Sequence, residues 1–443
     1  MKIQLSEHFS YSKLLRFVFP SIVMMVFTSI YGVIDGLFVS NYVGKVPFAA
    51  VNLIMPFLMI LGSLGFMIGT GGSAFVAKTL GEGKEEEAKK HFSMLVYVSI
   101  AGGIILSVIG IIVIRPLTIA MGAEGEMIDA CVVYGRILLI AITPFILQNV
   151  FQSFFVTAEK PQLGLGVTVA AGLTNIFLDF LFVAVFKWGL EGAAIATAIS
   201  QSVGGLFPLV YFIKKNKTPL QLVKAKFDKS VFFKTCTNGS SELASNISMS
   251  LVNMLYNFQL MKIAGEDGVA AYGVIMYVNF IFIAIFLGYS IGSAPIVSFH
   301  YGAGNHDELK NLLKKSLFLI GSFGVILTVA AVGSSGFLSK IFVGYDKELY
   351  EMTCFGFRLF SLSFLFSGLN IFGSAFFTAL NNGVVSALIS FLRAFVLQII
   401  MVLLLPVFWG IGGIWFSVVA AELLALFITL YFLAAKRKDY HYA

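Results

Sequence analysis

Charge is what this sequence has least of. Only 12% of its 443 residues are charged while 58% are hydrophobic, which excludes an ordinary soluble domain, where about a quarter are charged. Cysteine is almost missing as well. Cys131, Cys236 and Cys354 have no metal-ligand spacing and fall near the ends of apolar runs, so plain packing is expected of them rather than a disulfide framework or a zinc site. No GxxxxGK[ST] loop, soluble nucleotide domain or nucleophile elbow occurs, which argues against an ATP-driven pump and against common hydrolase chemistry. "KTLGEGKEEEAKK" and "HYGAGNHDELKN" read instead as glycine turns, each followed by a charged helix start. No A-x-A-like cleavage site accompanies the amphipathic "SYSKLLRF", so the first apolar run is expected to be a retained signal anchor.

What the chain does have is apolar length. Repeated runs of about 18 to 25 residues suit helices crossing a hydrocarbon core of about 30 Å, and backbone groups in lipid must be satisfied within such helices. Twelve spans are expected, centred near Met25, Leu61, Ile104, Ile142, Gly172, Ala198, Met254, Phe282, Gly324, Phe366, Val396 and Leu423. The formal charge of +7 follows from topology rather than from nucleic-acid binding: 21 of the 30 Lys and Arg, from Lys2 and Lys13 through Lys78, Lys84, Lys214 and Lys310 to Lys438, fall on one side of this arrangement. The positive-inside rule places that side, and both termini, in the cytoplasm.

Sliding the sequence against itself by 221 residues exposes an internal repeat. "NVFQSFFVTA" from Asn149 meets "NIFGSAFFTA" from Asn370, "FKWGLEGAAI" meets "VFWGIGGIWF", and "GGSAFVAKTLGEGKEEEAKK" meets "IGSAPIVSFHYGAGNHDELKN" with one extra residue. Six spans have been duplicated into twelve. The expected organisation is a first lobe over residues 1–213, a basic linker over 214–230 and a second lobe over 231–443. An even number of spans per copy gives a parallel repeat, related by an axis along the membrane normal and enclosing a cleft.

Polar residues inside the spans are few, and each is costly: a charge at bilayer depth costs about 2.5–3.5 kcal/mol on insertion scales. Asp35, Asp179 and Glu242 are the clearest; Glu422, Arg358 and Arg393 lie nearer the expected span ends. Asn175 and Asp179 share one helix face at i, i+4, and Tyr31 and Asp35 repeat that spacing on the first span. Two carboxyls that converge in a low dielectric cannot both stay ionised cheaply, so a proton or a cation is drawn in and the pair reads as a coupling-ion site. Under the repeat Asp35 maps to Tyr256, Asn175 to Val396, Asp179 to Ile400 and Thr197 to Val418. The cluster is therefore not a requirement of the six-span frame, although a satisfied interhelical hydrogen bond is the plainer reading. Gln148, Asn149 and Gln152 make a polar face on the fourth span, suited to lining a cleft; Glu242 is a ligand-binding candidate in the second half.

Several of these features together resemble a bacterial member of the multidrug and toxic compound extrusion (MATE) family. They are Pro20 with Asp35, "GTGGSAFVAKTLGEGK", "TAEKPQLG", Asn175 with Asp179, and "GLEGAAIATAISQ" with Thr197. The resemblance covers nearly the whole chain. It implies an all-α membrane protein of two six-helix lobes in the bacterial inner membrane, a monomer in lipid that exports small organic cations or amphipathic drugs in exchange for H+ or Na+, with no cofactor, no enzymatic activity and no nucleic acid. It implies a first-lobe cation site at Asp35, Asn175, Asp179 and Thr197, with Tyr31 beside it, whose oxygen donors would also suit Na+. Glu242 matches an acidic position in another branch, but that branch's second acid, on the tenth span, has no counterpart here. Rival readings are a lipid-linked oligosaccharide flippase, which would need more cleft bases than Arg358 and Arg393, and an intramembrane aspartyl protease, which would need GxGD at its aspartates.

Overall fold

The computed structural model describes residues 3–442, so Lys2, counted above among the basic residues, lies outside it. The described residues contain helices and no strand. The elements, in order, are α1 Tyr11–Tyr42, α2 Lys45–Gly81, α3 Glu85–Ala120, α4 Glu126–Ile140, α5 Ile142–Thr157, α6 Pro161–Asp179, α7 Gly189–Ile213, α8 Lys229–Gly302, α9 His306–Val343, α10 Lys347–Ser361, α11 Phe364–Ala379, α12 Gly383–Phe391, α13 Leu397–Ala435 and the short α14 Arg437–Tyr440. Two π-helical turns, Phe180–Val185 after α6 and Leu392–Val396 after α12, interrupt the series.

Eight helices or helix runs are long and apolar enough to cross a membrane, and the bent pairs α4–α5 and α10–α11 add two more. The other two come from breaks inside long helices. α8 has 74 residues, and at 1.5 Å per residue it would run for about 110 Å, several times the hydrocarbon core. It breaks at Gly265, whose φ of 64° suits a residue without a Cβ. The Tyr256 and Tyr272 rings stack at 5.2 Å, although a straight helix would hold residues that far apart in sequence about 24 Å from one another. α13 breaks likewise at Gly410, and across the break Ser417 donates to the Met401 carbonyl at 3.0 Å. Twelve spans result among the described residues, as the sequence suggests.

The repeat governs the breaks. Gly265 and Gly410 stand at the repeat positions of Gly44 and Gly189, which also have positive φ. The 53° bend between α4 and α5 and the 46° bend between α10 and α11 fall at matching places, Ala141 and Leu362. Helix starts carry their own signals: Asp228, Asn305, Asp346 and Asn382 each accept a hydrogen bond from a backbone N–H in the first turn that follows. Apolar side chains such as Met254, Phe258 and Val407 point outward, as lipid-facing positions do.

Buried residues of the second half form one large core, and those of the first half form two. The chain start ignores this division. Leu5, Phe9, Leu14 and Phe17 are buried in the second half's core, and the preceding segment ties both halves: Leu5 N–H donates to Glu159 and Phe9 N–H donates to Glu308. At the same lysine-bearing end, α2 meets α8 through glycines at a distance no Cβ would allow. A Cβ on Gly81 would lie 2.0 Å from the Phe299 carbonyl oxygen, and one on Gly302 would lie 2.1 Å from that of Lys78. Phe299 and Gly302 are the repeat positions of Lys78 and Gly81, so the two contacts are one contact made twice.

Candidate ion site and the second-lobe cavity

Three helices of the first half deliver the expected site residues to one place. Asp35 comes from the outer part of α1, Asn175 and Asp179 from the last turns of α6, and Thr197 from α7. Asn175 Nδ2 donates to Thr197 Oγ1 at 3.4 Å, and the Thr197 hydroxyl donates to Asp35 Oδ1 at 3.5 Å. Both bonds are long, at the weak end of the hydrogen-bond range. Asp179 is fully buried, and no N–H or hydroxyl among the described residues reaches either of its oxygens. What faces it is the carboxyl of Asp35. The helix changes register immediately after Asp179, where the π turn Phe180–Val185 begins; such turns are frequent at functional sites.

Around the two carboxyls the surroundings are polar but contain no base among their described partners. Tyr31 lies one turn before Asp35 with Gln148 of α5 beside its hydroxyl, and its ring packs where a Cβ on Gly172 would lie 2.9 Å away. Tyr134 of α4 completes the shell: it is fully buried, its hydroxyl has no partner, and both acids act on it electrostatically. Nothing in the sequence marked Tyr134, because one tyrosine in an apolar span has no period or motif of its own. Two carboxyls, an amide and a hydroxyl form a set of hard oxygen donors that can hold a small cation or share a proton.

The residues expected to line the cleft separate into two places. Gln148, Asn149 and Gln152 are all buried on α5; Gln148 abuts Gly204 of α7 and Asn149 abuts Gly65 of α2. Glu242 is thirteen residues into α8 rather than at its solvated end, and it lines a cavity of about 220 Å³ in the second half. Arg393 and Glu422 line the same cavity. The sequence placed both nearer span ends; in the structure they form a largely buried ion pair at 3.1 Å. Arg358 stays apart and donates from Nε to Ser335 at 3.0 Å. The three cysteines are free thiols.

Comparison with known proteins adds independent weight to the fold. The chain is 24% identical over 422 residues to the multidrug export protein MepA of Staphylococcus aureus, a match covering 94% of this chain and 92% of that protein. The MepA of Staphylococcus haemolyticus is 24% identical over 433 residues, covering 96% and 94%. Among solved structures, a MATE protein in complex with MaL6 superposes with a TM-score of 0.94 at 20% identity, covering 99% of this chain and 98% of that one. The outward-facing conformation of a multidrug resistance MATE family transporter of the MOP superfamily gives 0.93 at 21% identity, with the same coverage. The two-lobed architecture of these structures is shared here. The MatE family model matches the chain twice, over residues 20–181 and again over 243–404, once in each half. By that double match over most of its length, this chain belongs to the MatE family.

Proposed function

We propose that this protein is a secondary active multidrug exporter that moves small organic cations or amphipathic drugs out of a bacterial cell in exchange for H+ or Na+. The relatives it matches are named multidrug export proteins. The observation that carries the coupling is the buried pair Asp35 and Asp179, facing one another with no basic partner. Two unpaired carboxyls in a low dielectric attract a proton or a cation, and the affinity depends on how close the helices hold them.

In this reading Asp35, Asn175, Asp179 and Thr197 bind the ion and Tyr31 steadies Asp35 from one turn away. The lobes over 1–213 and 231–443 rock about the basic linker 214–230, with both termini cytoplasmic and the chain acting as a monomer in the inner membrane. The glycine contacts of α2 and α8 then close the cytoplasmic entrance, which supports an outward-facing state. An ion bound more tightly in one state than the other shifts the balance of states, and only that difference can drive substrate out.

The test is efflux of a fluorescent cation from proteoliposomes under separately imposed Na+ and pH gradients. Efflux driven by one gradient in the wild type, and by neither in Asp35→Asn or Asp179→Asn, is the expected result. Gradient-driven efflux that survives both substitutions rejects this site.

A further inference from the structure

The cavity of the second lobe carries a charge arithmetic of its own. It lies between the two arms of α8, α11 and the helices after α12, and three ionisable side chains reach it: Glu242, Arg393 and Glu422. Glu422 is fully engaged. One of its oxygens pairs with Arg393 Nη1 at 3.1 Å, and the other accepts from Asn370 Nδ2 at 2.8 Å. Asn370 is in turn fixed by the Thr429 hydroxyl at 2.9 Å. Glu242 has no hydrogen-bond or ion-pair partner for its carboxyl among the described residues; it only feels the charge of Arg393. With one base between two acids, the carboxyl of Glu242 is the one left without a counter-charge.

The aromatic wall offers no free hydroxyl from its two tyrosines. Tyr256 and Tyr272 stack with their rings 2° from parallel, and both hydroxyls are spent, on Gln398 Oε1 at 3.0 Å and Asn253 Oδ1 at 2.8 Å. Aromatic faces near a carboxylate favour an organic cation. A volume of about 220 Å³ is below the roughly 300–1,000 Å³ of pockets that bury a whole drug-sized ligand, so the cavity takes the charged ring system of a cation and leaves its substituents outside.

We propose that this cavity is a substrate subsite for a compact aromatic monocation, with Glu242 as its counter-ion, and that Arg393, held in place by Glu422, makes the site discriminate by charge number. A dication brings a second positive charge that has no free carboxylate and sits against Arg393. Asn370, Thr429, Glu422 and Arg393 form a chain of contacts that keeps the guanidinium on the wall whether or not the cavity is filled. This deepens the export reading above and rests on it for the word substrate, but not for the binding itself.

Ethidium and propidium share a chromophore and carry one and two positive charges, so they separate charge from shape as far as one pair of dyes can. Equilibrium fluorescence titration of the full-length detergent-solubilised protein is expected to show ethidium bound about tenfold more tightly than propidium, a difference of about 1.4 kcal/mol. Glu242→Gln is expected to weaken ethidium by about tenfold or more. Arg393→Met combined with Glu422→Gln removes the pair as a unit, so neither member is left without the other, and Glu242 stays in place. It should keep ethidium binding and bring propidium to within about twofold to threefold of it. Ethidium binding unchanged in Glu242→Gln, or an unchanged ethidium-to-propidium ratio in the double variant, overturns the subsite. A wild type that binds ethidium through Glu242 but exports nothing in proteoliposomes supports the subsite and rejects export instead.

Discussion

The two lobes put a polar cluster in the same place and build it from opposite chemistry. In the first lobe Asp35 and Asp179 face one another without a base; in the second, Glu422 is locked to Arg393 and Glu242 stands alone. The places correspond closely. Tyr256 and Val418 occupy the repeat positions of Asp35 and Thr197, and both line the second-lobe cavity. The six-span frame thus determines where polar residues gather, through its glycine turns and mid-span bends, while the residues offered at that place decide their chemistry.

Substitutions can break this contrast in order of expected effect. Asp35→Asn or Asp179→Asn should reduce gradient-driven efflux in proteoliposomes to the level of protein-free vesicles, while the fold stays intact by size-exclusion chromatography. Glu422→Ala should strip the counter-charge from buried Arg393 and lower stability by about 3–5 kcal/mol, whereas Arg393→Met with Glu422→Gln should be close to neutral. Unfolding in detergent compares the two, and equal losses would show that the ion pair has no coupling energy. Gly81→Ala and Gly302→Ala should each force the α2–α8 contact apart at a cost of about 1–3 kcal/mol. Spin-label distances between positions 84 and 307 should lengthen by similar amounts in both. Thr197→Val is the mildest: it removes two long hydrogen bonds, worth about 0.5–1.5 kcal/mol each at most, and should shift the ion concentration for half-maximal efflux only a few-fold.

Much of this architecture was legible because its determinants are local or periodic. Span number follows from apolar run lengths, and the duplication from a constant offset that the glycine turns obey. Asn175 and Asp179 stood out because polar atoms inside an apolar helix are expensive, and the structure brings Asp35 and Thr197 to them. Other features depend on helix rotation and so left no trace in the sequence. Arg393 and Glu422 are 29 residues apart on consecutive spans, and only the azimuths of the π turn after α12 and of α13 make them meet. Tyr134 is similar, a common residue whose meaning comes from what α4 is turned towards. The reach of Leu5 and Phe9 into the second lobe's core was hidden because a short stretch before a long helix gives no sign of which half it will join.

The reciprocal contacts of Gly81 with Phe299 and Gly302 with Lys78 make the join between the lobes isologous, the geometry of a two-fold homodimer written within one chain. Such a join is made of two equivalent contacts, so a motion that respects the axis parts both of them together. The same geometry means that each six-span half carries, on its own surface, a glycine face shaped to pack against a second copy of that face.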